Sequence, residues 1–178
     1  MKQILKKESF KEAINKLAIA IREDQTDLNN VAFIGIHTRG VHLSNRLTKV
    51  FKDSGINILQ GTLDINLYRD DLSQSSDKPI LKETKINFDV SGKIIYLVDD
   101  VLYTGRTIRA AMDAIFDLGR PQSVHLAVMA KRSGRELPID TNLCAITIDT
   151  KQGDNIAVRF EETDGFDEVS LFGKGEQI

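Results

Sequence analysis

The chain has 178 residues, 41% hydrophobic and 28% charged, with 24 basic side chains against 26 acidic ones for a net charge of −2. That length fits one domain around a single core, and the balanced charge gives no compositional case for a nucleic-acid partner. No apolar run approaches the ~20 residues that span a bilayer, no signal-peptide stretch opens the sequence, and Cys144 is the only cysteine. A cytoplasmic protein without disulfides or membrane contact is expected, with Cys144 buried in the apolar run 143–148.

In chain order, Ser9 to Glu12 has the form of a capping box, and Phe10, Ile14, Leu17, Ala18 and Ile21 recur at helical spacing. Residues 31–36 read as a buried strand, 37–40 as a turn, and 41–52 as a helix through Leu43, Leu47, Val50 and Phe51. Residues 60–68 alternate at Leu63, Ile65 and Leu67, which predicts a strand whose polar face carries Asp64 and Asn66. Residues 69–92 are polar and serine-rich, a connection of the length used for lids, with room for a short strand at 85–88. Ile94, Ile95, Leu97 and Val98 predict a buried parallel strand that stops at Asp99 and Asp100. A helix follows through Ile108, Ala111, Met112, Ile115 and Phe116 and ends at Gly119. Further strands are predicted at 123–130, 143–148, 156–160 and 168–172. The alternation argues for an α/β fold with a mainly parallel sheet, one domain over 1–178 without repeats or linkers.

The chemistry concentrates in residues 93–107, which read KIIYLVDDVLYTGRT. Two carboxylates leave a strand, and a small, hydroxyl-bearing loop of Thr104, Gly105, Arg106 and Thr107 opens a helix. Free N–H groups at a helix start bind phosphate. Carboxylates beside them accept hydrogen bonds from sugar hydroxyls or hold hydrated Mg²⁺. Together they suit a sugar phosphate; the bland alternative is a solvated loop in which a threonine caps the helix. Other nucleotide motifs fail. Gly35 and Gly40 have P-loop spacing, but Val41 and His42 stand where lysine and a hydroxyl are needed, and no G-x-G-x-x-G follows a strand.

The segment resembles the phosphoribosyl-pyrophosphate (PRPP) motif of type I phosphoribosyltransferases. Beyond it, Gly35-Ile-His-Thr-Arg-Gly40, Thr62-Leu-Asp-Ile-Asn-Leu-Tyr-Arg-Asp-Asp-Leu72, Asp117-Leu-Gly-Arg-Pro121, Arg135-Glu-Leu-Pro-Ile139 and Asp164-Gly-Phe-Asp-Glu-Val169 resemble the PyrR family over nearly the whole chain. Its members are pyrimidine-operon regulators that are also uracil phosphoribosyltransferases. The resemblance implies a type I phosphoribosyltransferase fold, its parallel sheet flanked by helices, with a flexible lid and a small base-side hood. It implies uracil, PRPP, UMP and pyrophosphate as ligands, Mg²⁺ as cofactor, pyrimidine-operon mRNA as a partner, and a homodimer or larger homo-oligomer.

Residue by residue, the resemblance implies Thr38, Arg39 and Gly40 at the pyrophosphate. It puts Asp99, Asp100, Val101, Leu102, Tyr103, Thr104, Gly105, Arg106 and Thr107 around PRPP or UMP, and Asp99 and Asp100 at Mg²⁺ through PRPP and water. Arg69, Asp70 and Asp71 belong to the lid, and Lys131 and Arg132 to the base side. Asp99, Asp100, Arg39 and Tyr103 are the expected catalytic set. For Arg39 a surface salt bridge is the alternative, and for Tyr103 a ring packed under the loop. Purine-salvaging relatives carry aspartate where Tyr103 stands, so Tyr103 leans to a pyrimidine. The family reads Asp-Arg-Gly-His where this chain has Lys131-Arg-Ser-Gly134, and Gly-Lys-Asn-Val-Pro-Thr where it has Ala145-Ile-Thr-Ile-Asp-Thr150. Lys131 is similar to the purine enzymes' base-carbonyl lysine or else points to solvent, which leaves hypoxanthine or guanine open beside uracil. A catalytically weak nucleotide-sensing RNA regulator also stays open. The lysines of the first helix form no single stripe, so mRNA binding rests on the resemblance alone.

Overall fold

The computed structural model describes residues 1–25, 27–68 and 83–177. In order these form β1 (Lys2–Leu5), α1 (Lys7–Asp24), β2 (Val31–Ile36), α2 (Arg39–Asp53), β3 (Leu59–Leu63) and a 3-10 turn (Asn66–Tyr68). Then come β4 (Ile94–Leu102), α3 (Arg106–Leu118), β5 (Ser123–Arg132), β6 (Cys144–Ile148), β7 (Asn155–Arg159), α4 (Glu161–Asp164) and β8 (Glu168–Phe172). Five parallel strands lie in the order β3-β2-β4-β5-β6, and a separate antiparallel sheet has the order β1-β8-β7.

Every residue of β2 is buried, as an unbroken apolar run requires when both faces of a sheet are covered. On one face Phe33, Tyr96 and Val98 share a core with Phe10, Leu17 and Ile21 of α1 and Leu43, Leu47 and Phe51 of α2. On the other, Ile34, Ile95 and Leu97 pack with Ile108, Ala111 and Ile115 of α3. The chain leaving β2 therefore turns to one face and returns at β3, while the chain leaving β4 turns to the other and returns at β5. The crevice between the carboxyl ends of β2 and β4 is a topological switch point, where open α/β sheets take their ligands. Gly40 allows α2 to start there, because a Cβ would press into the Val98 carbonyl oxygen of β4.

Several boundaries depart from the sequence expectation. β4 does not stop at its carboxylates. Its ladder to β2 ends at Val98, but its ladder to β5 continues through Asp99, Val101 and Leu102, and one paired side suffices to keep the backbone extended. β5 likewise takes in Lys131 and Arg132. β3 is shorter than expected: the Asn66 N–H donates to the Asp64 carboxylate at 2.9 Å, and that local bond turns the chain out of the sheet. The short strand expected at 85–88 reduces to an isolated bridge between Lys85 and Thr62. α2 begins at Arg39, which narrows the expected turn to His37 and Thr38. Ser9 is not the N-cap of α1. Lys6 is, and its backbone N–H donates to Ser9 Oγ at 2.9 Å. Phe116 faces outward at 56% exposure, and Cys144 is only half-buried at the start of an edge strand. β1 and α4 went unanticipated; β1 pairs with β8, at the other end of the chain. No described helix is long and apolar enough to cross a membrane.

Candidate active site

Four segments meet at the switch point: the β2–α2 connection, the chain leaving β3, the carboxyl end of β4, and the start of α3. They enclose a cleft of about 250 Å³ lined by Ile36, His37, Thr38, Arg39, Ile65, Asn66, Asp99, Asp100, Val101 and Thr107. A larger hollow of about 650 Å³ between Arg22 and Asn57 lies at the amino edge of the sheet, away from both helix starts. The chemistry therefore points to the smaller cleft.

Asp99 is buried, and burial pushes its carboxyl well above the usual carboxylate range, with the neighbouring Asp100 adding repulsion. Asp100 is half-buried. Desolvation also raises it, against the Val101 N–H that donates to its Oδ1 at 2.8 Å and the opposing charge of Arg39. Asp99 Oδ1 in turn accepts the Asp100 N–H at 2.9 Å. Two adjacent carboxylates that resist ionisation in the resting protein await hydroxyl donors or a cation.

Arg39, from the first turn of α2, lies across the cleft in a two-point ion pair with Asp164, Nη2 to Oδ1 at 2.7 Å and Nε to Oδ2 at 3.2 Å. Those bonds raise the guanidinium above its usual value against the pull of partial burial, and Asp100 adds to the rise. α3 opens after Gly105, whose backbone is left-handed, and Thr107 in its first turn reaches the cleft. The Thr104 Oγ1 accepts the Arg106 N–H at 3.3 Å. The Thr104 carbonyl accepts N–H groups of Glu136 and Leu137, and Arg106 pairs with Glu136, so the 135–139 segment buttresses the loop.

On the far side of that loop the Tyr103 ring is 44% exposed, and the buried Arg132 guanidinium lies 4.1 Å from its centroid. A Cβ on Gly134 would meet the ring at 2.5 Å, so the glycine gives Tyr103 its berth. The Lys131 ammonium donates to the Thr141 carbonyl at 2.7 Å and pairs with Asp140 at 3.2 Å.

Among the described residues no group of three or more His, Cys, Asp or Glu side chains could cage a metal. The acid pair nevertheless fits Mg²⁺, which takes one or two carboxylates and fills its octahedron with water and substrate phosphate oxygens.

A phosphoribosyl transferase domain model matches residues 1–162. The bifunctional protein PyrR of Deinococcus radiodurans is 45% identical over 170 residues, covering 95% of this chain and 93% of its own. That of Pelotomaculum thermopropionicum is 43% identical over 175 residues, covering 98% and 97%. The chain belongs to the PyrR family. Its backbone is also similar to the hypoxanthine phosphoribosyltransferase of Trypanosoma cruzi, with a TM-score of 0.71 at 16% identity over 98% of this chain and 97% of that one. At that identity the likeness speaks for the fold, which is that of the type I phosphoribosyltransferases.

Of the residues this PyrR-family chain was expected to bring together, Thr38, Arg39, Asp99, Asp100, Val101 and Thr107 line one cleft. Gly40 lies beneath it against β4, and Leu102 is turned into the core. Lys131 and Arg132 are not among the cleft's lining. The lid residues Arg69, Asp70 and Asp71 lie outside the described residues. His37, Ile65, Asn66 and Asp164 were missed. Asn66 had a local signal, a polar position before the Tyr-Arg-Asp-Asp block. Nothing local marks Asp164, which meets Arg39 across 125 positions.

Proposed function

We propose that this PyrR-family chain acts as one phosphoribosyltransferase domain over residues 1–178, joining uracil to the ribose of PRPP to form UMP and release pyrophosphate. The observation that carries the reading is the cleft in which an acid pair faces a guanidinium at one helix start and a threonine at another. Asp99 and Asp100 accept hydrogen bonds from the ribose 2′ and 3′ hydroxyls. The 5′-phosphate lies on the backbone and hydroxyls of Thr104, Gly105, Arg106 and Thr107, with Val101, Leu102 and Tyr103 completing the loop around the sugar. Thr38, Arg39 and Gly40 receive the pyrophosphate.

As the bond from C1′ to pyrophosphate lengthens, positive charge develops on the sugar and negative charge on the leaving group. The field of the acid pair favours the first, and the Arg39 guanidinium the second. Asp99 and Asp100 would hold Mg²⁺ through PRPP and water, and the bound ion would further neutralise the pyrophosphate. Tyr103 stands where purine enzymes keep a carboxylate base. Uracil has more acidic N–H groups than a purine and needs less help there. The Lys131 ammonium, tied to Asp140 and Thr141, lends no support to a hypoxanthine or guanine enzyme.

The relatives' name, bifunctional protein PyrR, supports a second role, which we propose is UMP-responsive binding of pyrimidine-operon mRNA by a homodimer or larger homo-oligomer. The deciding assay is PRPP- and Mg²⁺-dependent turnover of uracil, hypoxanthine, guanine and adenine. Uracil is expected to be the best substrate, and faster conversion of any purine would overturn the assignment. Titration of operon leader RNA with and without UMP tests the regulatory role, with tighter binding expected when UMP is present.

A further inference from the structure

Asp164 belongs to no expected site, yet it holds the one cationic side chain assigned to the pyrophosphate. Its Oδ2 also accepts the Phe160 N–H at 2.9 Å, which fixes the carboxylate at the head of α4. α4 itself is strapped along one face of α2. Arg39 pairs with Asp164, His42 Nε2 lies 2.6 Å from Thr163 Oγ1, and Arg46 forks between Glu162 and Asp167 at 2.7 to 2.9 Å. These α2 positions, spaced three and four apart, share a face, so the strap is a run of contacts one helical turn apart. Arg39 therefore meets a partner whose element is tied to α2 at several points. Its Nε and one Nη2 hydrogen are engaged, and among the described residues Nη1 has no partner. Five hydrogens in a planar fork leave the Nη1 edge open for a second two-point contact. Arg39 and Asp100 line the same cleft and Arg39 feels the Asp100 charge, so a guanidinium released by Asp164 would have Asp100 as a competing anion.

We infer that Asp164 is a positioning residue for Arg39: it grips the Nε edge of the guanidinium, keeps it off Asp100, and leaves the Nη1 edge to a pyrophosphate group. The C-terminal hairpin thereby sets the affinity for pyrophosphate-bearing ligands, while a nucleoside monophosphate, which lacks that group, is indifferent to it. The inference rests on the reading of Arg39 as the pyrophosphate ligand, and the test separates the two. Calorimetric titration of pyrophosphate with Mg²⁺, of PRPP with Mg²⁺, and of UMP is carried out on the parent, Asp164→Asn, Arg39→Ala and the double variant. Asparagine keeps an oxygen for the Phe160 N–H and removes the charge. Asp164→Asn is expected to weaken pyrophosphate and PRPP binding about 10-fold, with a matching rise in KM for PRPP, and to leave UMP affinity within about twofold. In the Arg39→Ala background the same change should add nothing, because the two side chains act as one unit.

Unchanged or tighter pyrophosphate binding by Asp164→Asn, beside a clear loss in Arg39→Ala, would overturn the positioning role alone. An Arg39→Ala variant with parental pyrophosphate affinity would overturn the assignment of Arg39 and the inference with it. Equal losses for UMP and pyrophosphate in Asp164→Asn would make Asp164 a purely structural strap. If Asp164→Asn fails to fold, Asp164→Glu takes its place, with smaller losses confined to the pyrophosphate ligands expected and equal losses overturning the role.

Discussion

A carboxylate enclosed by protein loses its hydration, and among the described residues Asp99 gains the Asp100 backbone N–H and a side-chain hydrogen bond with Asp100 in return, with no cation paired to it. Its folded pKa is raised, so the stability credited to this group is fully present below the ordinary value of 3.8 and is lost as pH rises toward the raised one. Above that range the cost of burying the group, met by carrying the charge or by holding the proton, is a burden on the fold. Asp99→Asn keeps an oxygen for the Asp100 N–H and removes that burden. Urea unfolding should show the variant more stable by about 1 kcal/mol at pH 7, with the gain vanishing near pH 4. PRPP-dependent kcat/KM should fall by about 100-fold or more in Asp99→Asn and in Asp100→Asn alike, since each amide loses the charge offered to the sugar and to Mg²⁺. A variant less stable than the parent at pH 7 would mean that the resting protein already compensates the charge.

Between elements, the join of α2 to the C-terminal hairpin depends on Arg46. Its guanidinium lies 5.6 Å from the Phe10 ring centroid and 5.2 Å from that of Phe160 while forking to Glu162 and Asp167. Burial pushes Asp167 up, but Arg46 and the Glu161 N–H together pull it below the usual range; Arg46 also lowers Glu162. Lowered carboxylates contribute stability above their unfolded values and lose it as pH falls through the folded ones. Arg46→Met, which keeps the apolar stem, should cost about 2 kcal/mol at pH 7 by stranding Asp167. The gap to the parent should close as pH falls from the ordinary values, 4.5 for Glu162 and 3.8 for Asp167, through the lowered folded ones. Parallel stability curves would show that the pair contributes nothing dependent on ionisation. This join was invisible in the sequence, and the reason is general. α1, β2 and α3 were legible because their apolar spacing is local, and the acid pair and Thr104-Gly105 because hydrogen-bonding groups at a strand end and a helix start need only their own neighbours. β4 was read short because its extension depends on β5, and β1 went unread because its partner is β8. Arg39 with Asp164 and Lys131 with Asp140 belong to the same class, side chains whose roles depend on elements that only the fold brings near.

Across the whole molecule, the cleft lies where the starts of α2 and α3 meet the end of β4, and the two helices pack on opposite faces of the sheet. A ligand seated there ties the core under α2 to the core over α3, and it binds the folded chain only. Its binding free energy is therefore added to the stability of the entire fold, about 2.7 kcal/mol at a concentration 100 times Kd. At roughly 2–4 °C per kcal/mol for a chain of this size, saturating UMP should raise Tm by about 5–10 °C. PRPP should do the same only with Mg²⁺, because the acid pair alone repels a pyrophosphate that arrives without its cation. EDTA is expected to abolish the PRPP shift, to spare most of the UMP shift, and to leave the ligand-free Tm where it was, since no described cluster cages a metal that the fold itself would need. Differential scanning calorimetry on the parent, with and without EDTA, gives these values, and Asp100→Asn supplies the control, with the PRPP shift lost. A ligand-free Tm that falls in EDTA would reveal a structural metal. A PRPP shift indifferent to both EDTA and Asp100→Asn would remove the acid pair from the site.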